Sequence, residues 1–352
     1  MTNEAFGLQI QNLVQQIMGA RTEDFSRLAQ IAGLSLAEDF VGIDLSGEDL
    51  SGDKLSGANL SYADLNSANL SRTDFNRANL SGTDLSGVNL SRADLGGANL
   101  RNANLSSANL RDANLRDANL RDANLSGVSL INANLISANL IKANLISANL
   151  IKANVRDANL MNADLSGANL SRADLRDATL IRAKLISTNL RDANLNEADL
   201  RDATLISGLL IRINLRDANL IGVDLSGSDL SEADLSGANL IGANLLRANL
   251  SSSNLIGANL SRANLNGVKL NRAKLCRSNL HRANLTSAHL IGADLSLANL
   301  SLTNLRFADV KQALFADTLG LPEIMKRDLI RRGAIFEDAT DSGNCSEVLT
   351  PR

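Results

Sequence analysis

Few side chains in this 352-residue chain belong to the types that carry acid–base, nucleophilic or metal chemistry and also stand out from their surroundings. The histidines are His281 and His289, and the cysteines are Cys276 and Cys345. Cys276 and His281 occupy matching outward positions five residues apart, a weak version of a metal or thiol–imidazole pair that lacks a third ligand and an orienting acid. That spacing reads better as surface substitution at tolerant positions. Asp and Ser are abundant but recur with regular spacing, so carboxylates close to one another here are architecture before they are catalysis. The phosphate loop G-x-x-x-x-G-K-[ST], a G-x-G-x-x-G opening a helix after a strand, and zinc spacings are all missing from the sequence. No catalytic, metal or cofactor-binding residue is assigned, no cofactor is expected, and an enzyme is not.

The regular context is the dominant signal. From Phe40 to Phe315 a large apolar residue, almost always leucine, falls at every fifth position without insertion or deletion, roughly 56 times. The unit reads A-N/D-L-x-x, as in Ala58-Asn59-Leu60, Ala113-Asn114-Leu115 and Ala298-Asn299-Leu300, with the leucine as its centre. In an α-helix, steps of five turn each leucine by about 140° and leave no stripe. In a flat strand, leucines five apart alternate between faces. The pattern is buriable only if the chain bends after every unit, so that each centre faces one axis.

These residues resemble the pentapeptide-repeat family, whose motif is A-D/N-L-x-x, and in particular its uncharacterised cyanobacterial members. The resemblance implies an all-β chain: a right-handed quadrilateral β-solenoid with four units per coil, the centre and the residue two before it pointing inward. Leu65, Leu85, Leu105 and Leu125 would then stack in one column, and about 14 coils at the ~4.8 Å strand spacing would form a rod of roughly 65–70 Å. Composition agrees independently. Ala dominates the position two before the centre, aromatics make up 2% of the chain, and Trp is absent, as a narrow core requires. The glycines gather on the corner side, as in Ser46-Gly47, Ser86-Gly87 and Ser166-Gly167, where a turn calls for positive φ. Both prolines, Pro322 and Pro351, lie outside the repeats, where they delete no ladder donor.

Departures from the consensus carry their own expectations. Val155 and Val310 lose volume at the centre, whereas Phe40, Phe75 and Phe315 add it. Gly208 and Ile213 replace Ala at neighbouring inward positions, so their volumes should compensate with Ile213 inside. Glu48 and Asp53 fall at inward positions of the first full coil, where burial of charge is costly, and predict a distorted or open coil there.

The organisation expected is an N-terminal helical cap over 1–37, the β-solenoid over 38–317, a C-terminal helical cap over 318–336 and a polar, disordered tail over 337–352. Phe6, Ile10, Leu13, Val14 and Ile17 have helical spacing, as do Phe25, Leu28, Ile31 and Ala32. Asn3 or Thr2 would cap the first helix, and Thr22 or Asp24 would start the second. A rival role for these N-terminal helices is recruitment of a partner. Pro322 and Glu323 would open the C-terminal helix, Arg331, Arg332 and Gly333 would close it, and 334–336 would fold back. With no apolar run of 18 residues and no leader pattern, a soluble cytoplasmic protein without membrane contact is expected.

Function is narrowed by the outward positions. Members of the family similar to the quinolone-resistance group mimic duplex DNA and bind DNA gyrase, which needs a strongly acidic surface. Residues 38–317 hold 28 basic and 29 acidic side chains, so regulation of a topoisomerase by mimicry is the alternative and direct nucleic-acid binding is not expected. Arg-Asp pairs such as 111–112, 156–157 and 216–217 read as a solvated zwitterionic face. Isoleucines one after the centre are the local lead. Ile131, Ile136, Ile141, Ile146 and Ile151 run consecutively, and Ile141, Met161, Ile181, Ile221 and Ile241 share one register, interrupted by Arg201. This second set is the candidate surface for another protein or for self-association, although β-branched residues also suit exposed strands. The expected function is a non-catalytic interaction scaffold.

Overall fold

The computed structural model describes residues 8, 10–16 and 24–336. It divides into two compact units, Met1–Asp174 and Leu175–Arg352. Both are largely non-helical and are built the same way: parallel β-bridges join residues twenty apart, from Asp44↔Asp64 to Asn154↔Asp174 in the first unit and from Thr179↔Asp199 to Asn299↔Leu319 in the second. Four five-residue units therefore separate one pass of the chain from the next. The bridges are isolated, each one residue wide, and no continuous strand forms between them. A turn in every unit leaves no room for a longer strand.

The unit around Leu60 shows how five residues satisfy their backbone. Leu60 N–H donates to Asn79 O (2.8 Å) and Tyr62 N–H to Ser81 O (2.9 Å), both in the following coil. Asp64 N–H reaches back to Ile43 O (2.8 Å), while Ala63 N–H closes a turn on Leu60 O (3.1 Å). The remaining donor, Ser61 N–H, is taken by Asn59 Oδ1 (3.3 Å). All five donors are thus engaged, four by backbone and one by the Asn side chain, as a buried backbone requires.

Turn geometry corrects one expectation. The second residue after the centre has positive φ throughout, the mark of a type II turn, but glycine fills only some of these positions. Tyr62 (φ 59°), Arg72 (φ 62°), Asp117 (φ 58°) and Leu302 (φ 60°) take the same left-handed conformation. The intercoil bond from this residue's N–H holds it there at a local cost of about 1–2 kcal/mol per non-glycine residue.

The side chain before the centre has a second task. Asn79 Nδ2 donates to Asn59 Oδ1 (2.9 Å) and Asn99 Nδ2 to Asn79 Oδ1 (3.0 Å), a ladder parallel to the backbone bonds. Asp can accept but not donate, so it starts such runs: Asp84 receives Asn104 Nδ2 (3.0 Å) and Asp94 receives Asn114 Nδ2 (2.8 Å).

The inward positions form the core. Leu45, Leu145, Leu245 and their counterparts are fully buried, as are Phe40, Phe75, Val155 and Val310. Thr and Ser at inward positions can bond a centre carbonyl, Thr73 Oγ1 to Leu50 O (2.8 Å) and Ser253 Oγ to Leu250 O (2.7 Å), whereas the buried Ser278 Oγ has no partner. Ile213 points inward, 1% exposed. At Gly208 a Cβ would stand 2.8 Å from Leu210 Cδ1, so the neighbouring leucine fills the space that glycine leaves.

The first coil is neither distorted nor open. Bridges Asp49↔Asn69 and Lys54↔Asp74 keep the regular register, Glu48 is half-buried, and the buried Asp53 carboxylate accepts Phe25 N–H (3.3 Å). That donor belongs to α1, Phe25–Ile31, whose N-cap Asp24 accepts Ser26 N–H (2.9 Å) and Lys54 N–H (3.2 Å). A donated hydrogen bond replaces the water that Asp53 loses. Phe25 packs edge-on against Phe40 (5.4 Å). α1 buries Phe25 and Ala29 and leaves Ile31 71% exposed, so Ile31 is not on the packed face as the spacing suggested. Residues 10–16 are helical, bury Ile10 and Val14, and lay the Gln11 amide across Asp44, Nε2 to O (2.9 Å) and Oε1 from N–H (3.2 Å). Phe6, Ile17, the caps at Thr2, Asn3 and Thr22, and the tail 337–352 lie outside the described residues.

In the second unit α2, Glu323–Arg331, starts after Pro322, which is the N-cap rather than part of the first turn. Gly333 (φ 89°) turns the chain back, Ile335 bridges Leu314, and Phe336 stacks on Phe315 (5.3 Å). Arg332 Nη1 donates to Ala308 O (2.8 Å). Among the described residues, no helix is long and apolar enough to cross a membrane.

Candidate partner surface

With two of every five side chains inside and a third engaged in the asparagine ladder, recognition is left to the two turn residues. The isoleucines sit at the first of these. In the first unit Ile141 and Met161 occupy successive coils, with Lys142 N–H bonded to Met161 O (3.0 Å), and both are half-buried. In the second unit Ile181, Arg201, Ile221 and Ile241 follow one another, through Arg182 N–H to Arg201 O (2.9 Å), Asp202 N–H to Ile221 O (3.0 Å) and Gly222 N–H to Ile241 O (3.0 Å). Ile181, Ile221 and Ile241 stay partly open to solvent and Arg201 is exposed.

Arg201 interrupts this column less than its charge suggests. Its Nη2 and Nε donate to the Asp199 carboxylate at 2.7 and 2.9 Å, so the guanidinium folds back over its own unit. The hydrogen bonds that Arg201 donates to Asp199, and then the charge of Asp199, raise the Arg201 pKa. Arg212 is held similarly by Asp192 of the preceding coil (2.7 Å), with its pKa raised by the same cause. Arg111, Arg121 and Arg216 pair with the adjacent Asp at 3.3–3.9 Å on exposed ground. Such pairs contribute little stability but remove free charge from the surface.

Two features escaped the sequence reading. Leu297, Leu302 and Phe307 hold successive left-handed turn positions, 42%, 69% and 75% exposed, with Arg306 over the Phe307 ring (5.2 Å). Large apolar groups gain nothing from the fold there. Their signal was a bulky residue two after the centre. The second feature is charge: from 235 to 293 the chain has no acidic residue and seven basic ones, Arg247, Arg262, Lys269, Arg272, Lys274, Arg277 and Arg282, all exposed. A net count over the whole repeat concealed it.

The structure does not bring Cys276 and His281 into a site. Cys276 is fully buried rather than outward, it is disulfide-bonded, and its sulfur stands 3.0 Å from Asp294 Oδ2; His281 is half-buried on the next side. Among the described residues, no group of three or more His, Cys, Asp or Glu side chains could hold a metal.

The register of centres, ladders and turns matches a family model, described as pentapeptide repeats, in 8 copies over residues 54–92, 89–127, 129–167, 168–205, 209–245, 243–282 and 278–316. The chain belongs to the pentapeptide-repeat family. Among solved structures, this pentapeptide-repeat protein is similar to HetL from the cyanobacterium Nostoc sp. strain PCC 7120, described as involved in heterocyst differentiation regulation. The identity is 29%, over 82% of this chain and 94% of HetL, with a TM-score of 0.21. Rfr23 from the cyanobacterium Cyanothece 51142 is 27% identical over 43% of this chain and 89% of its own, with a TM-score of 0.20. QnrB1, a plasmid-mediated fluoroquinolone resistance protein, is 18% identical over 72% and 87%, with a TM-score of 0.28. No curated protein matches the chain significantly.

Proposed function

We propose that this pentapeptide-repeat protein is a non-catalytic interaction scaffold in which each unit is a right-handed, four-sided β-solenoid and the flanking helices close its ends. The observation that carries the reading is the complete use of the Leu60 unit's donors and inward side chains by the fold, which leaves recognition to the turn residues. Bridges twenty residues apart, with four turns between them, support the four-sided reading. End closure rests on Gln11 and Arg332, which engage backbone groups of the terminal coils that would otherwise offer open edges.

The apolar residues Ile141 and Met161 in the first unit and Ile181, Ile221 and Ile241 in the second are the residues assigned to a protein partner or to a second copy of the chain. The test replaces Ile141, Ile181 and Ile221 by Ser and compares solution mass and partner capture with the parent. Loss of either supports the assignment, and a variant identical to the parent in both removes it. The 28 basic and 29 acidic residues of the repeat do not form the polyanionic surface that imitation of duplex DNA requires. A supercoiling assay with purified protein should accordingly show no effect on gyrase.

A further inference from the structure

The basic stretch of the second unit forms a belt. Bridged residues are separated by four turns, so four successive turns carry the chain once around its coil. Arg262, Arg272, Arg277 and Arg282 are the second residues of the turns after Leu260, Leu270, Leu275 and Leu280. The turn after Leu265 has glycine there, but Arg247 of the preceding coil lies across it: a Cβ on Gly267 would stand 3.5 Å from Arg247 Cγ. Each turn from 262 to 282 thus has an arginine on it or across it. Lys269 and Lys274 stand on the two sides between, and all of these cations are exposed. The bond from Arg262 N–H to His281 O (2.9 Å) sets the last turn of the belt one coil beyond the first.

These charges are also unpaired. Arg121, Arg201, Arg212 and Arg216 pair with neighbouring carboxylates at 2.7–3.3 Å, whereas no belt side chain has an ion pair or a hydrogen bond among the described residues. The flanking acids are engaged elsewhere. Asp294, which bridges Lys274, takes Ser296 N–H (2.9 Å) and Ser296 Oγ (2.6 Å) on Oδ1 and has the Cys276 sulfur 3.0 Å from Oδ2. Asp234 takes Ser236 N–H (3.0 Å) and Asn254 Nδ2 (3.0 Å). Like charges left unpaired repel one another, so the fold gains nothing from the belt and its counter-charge comes from outside.

The distribution of charge selects the partner. A flat membrane or a stiff duplex meets one side of a belt, while a cation at every turn suits a thin, flexible polyanion that bends with the coil. Single-stranded nucleic acid is such a chain, but its binding sites add aromatic platforms on which bases stack. From 76 to 306 the sequence has no Phe, Tyr or Trp, so what the belt can recognise is phosphate alone. We infer that the belt binds linear inorganic polyphosphate, wound around the coil with guanidinium forks on its phosphate oxygens. The near balance of charge over 38–317 does not oppose this, because a polyanion meets the local surface. The inference goes beyond the scaffold reading and shares no residue with the isoleucines assigned there.

The experiment titrates the full chain with inorganic polyphosphates of increasing length at several salt concentrations. Affinity should rise with length and level off once a chain spans the belt. The triple variant Arg272→Gly, Arg277→Gly and Arg282→Gly installs the residue that this turn position holds at 257, 267 and 292, so it keeps the fold. It should weaken binding about ten-fold or more and flatten the dependence of log affinity on log salt. Lys269→Gln with Lys274→Gln, outside the turns, should also weaken it several-fold. As a control, Arg72→Gly, Arg77→Gly and Arg92→Gly remove the same charge from the same turn position of the first unit and should leave binding unchanged. Single-stranded oligonucleotide, duplex and anionic vesicles, compared at equal phosphate, should each bind several-fold more weakly. Equal weakening by the two arginine triples, affinity independent of length, or binding of any comparison polyanion as tight as that of polyphosphate would overturn the proposal.

Discussion

Asn79 joins two coils through one side chain: its Nδ2 donates to Asn59 Oδ1 at 2.9 Å while its own Oδ1 accepts Ser81 N–H at 3.3 Å and Asn99 Nδ2 at 3.0 Å. One amide thus closes a turn within its unit and binds the coils on either side.

Asn79→Ala removes all of these bonds and strands the Ser81 donor, so local stability should fall by about 1–3 kcal/mol. Asn79→Asp keeps both acceptor roles and loses only the donor toward Asn59, and should cost less. Hydrogen exchange at the neighbouring coils is the measurement, since a repeat protein can open locally. Equal loss of protection in the two variants would contradict the ladder.

Asp24 and Asp53 clasp α1 to the first coil reciprocally, Asp24 taking Lys54 N–H (3.2 Å) and Asp53 taking Phe25 N–H (3.3 Å). Partial burial by itself raises the Asp24 pKa, but hydrogen bonds from the Ser26 side chain and the Ser26, Lys54 and Arg27 N–H groups together lower it. A carboxylate depressed in the folded state stabilises fully above its unfolded pKa, about 3.9, and that contribution is lost as pH falls through the folded value. Protection of the α1 amides should therefore weaken only on acidification below about pH 4. Asp24→Asn should flatten this dependence.

Leu302 bears a bulky side chain at φ 60° with 69% exposure. Leu302→Gly relieves the left-handed strain, worth about 1–2 kcal/mol, against the greater chain entropy of glycine. Thermal unfolding should show no loss of stability and up to about 1 kcal/mol of gain. Leu302→Val, which is β-branched, should destabilise at the same position. The opposite order would mean that the side chain serves the fold.

Gly208 tests the core. A methyl group there meets Leu210 Cδ1 at 2.8 Å and Leu205 O at 3.1 Å. Gly208→Ala should cost about 1–3 kcal/mol by overpacking, and the double variant Gly208→Ala with Leu210→Val should recover part of it. Denaturation midpoints of the single and double variants decide this.

Much of the core was legible because burial and spacing are coupled. A leucine at every fifth place can be buried only in a chain that bends each time, and inward Ile213 followed from register alone. The buried Asp53 was legible as an anomaly, but its resolution was not, because the Phe25 donor lies 28 residues away in the chain. Ile31 was misplaced since a helix as short as α1 meets its neighbour through few side chains, and docking selected Ala29 instead. Cys276 was taken for a surface residue because the register marks it outward, whereas the fold buries it fully. The basic stretch was fully legible and was hidden only by summing charge over too long a segment.

The sequence by itself determined the repeat and its inward residues, because these follow from local periodicity and from the need to bury leucine, while the twenty-residue return was implied by the family resemblance. Tertiary structure alone decided that the Asn side chain satisfies a fifth backbone donor within its own turn, that turns accept Arg and Asp at positive φ, and that the distant Phe25 N–H hydrogen-bonds the buried Asp53. The last two depend on a partner one coil or more away, and a hydrogen bond is fixed by distance and angle in space rather than by the spacing of letters.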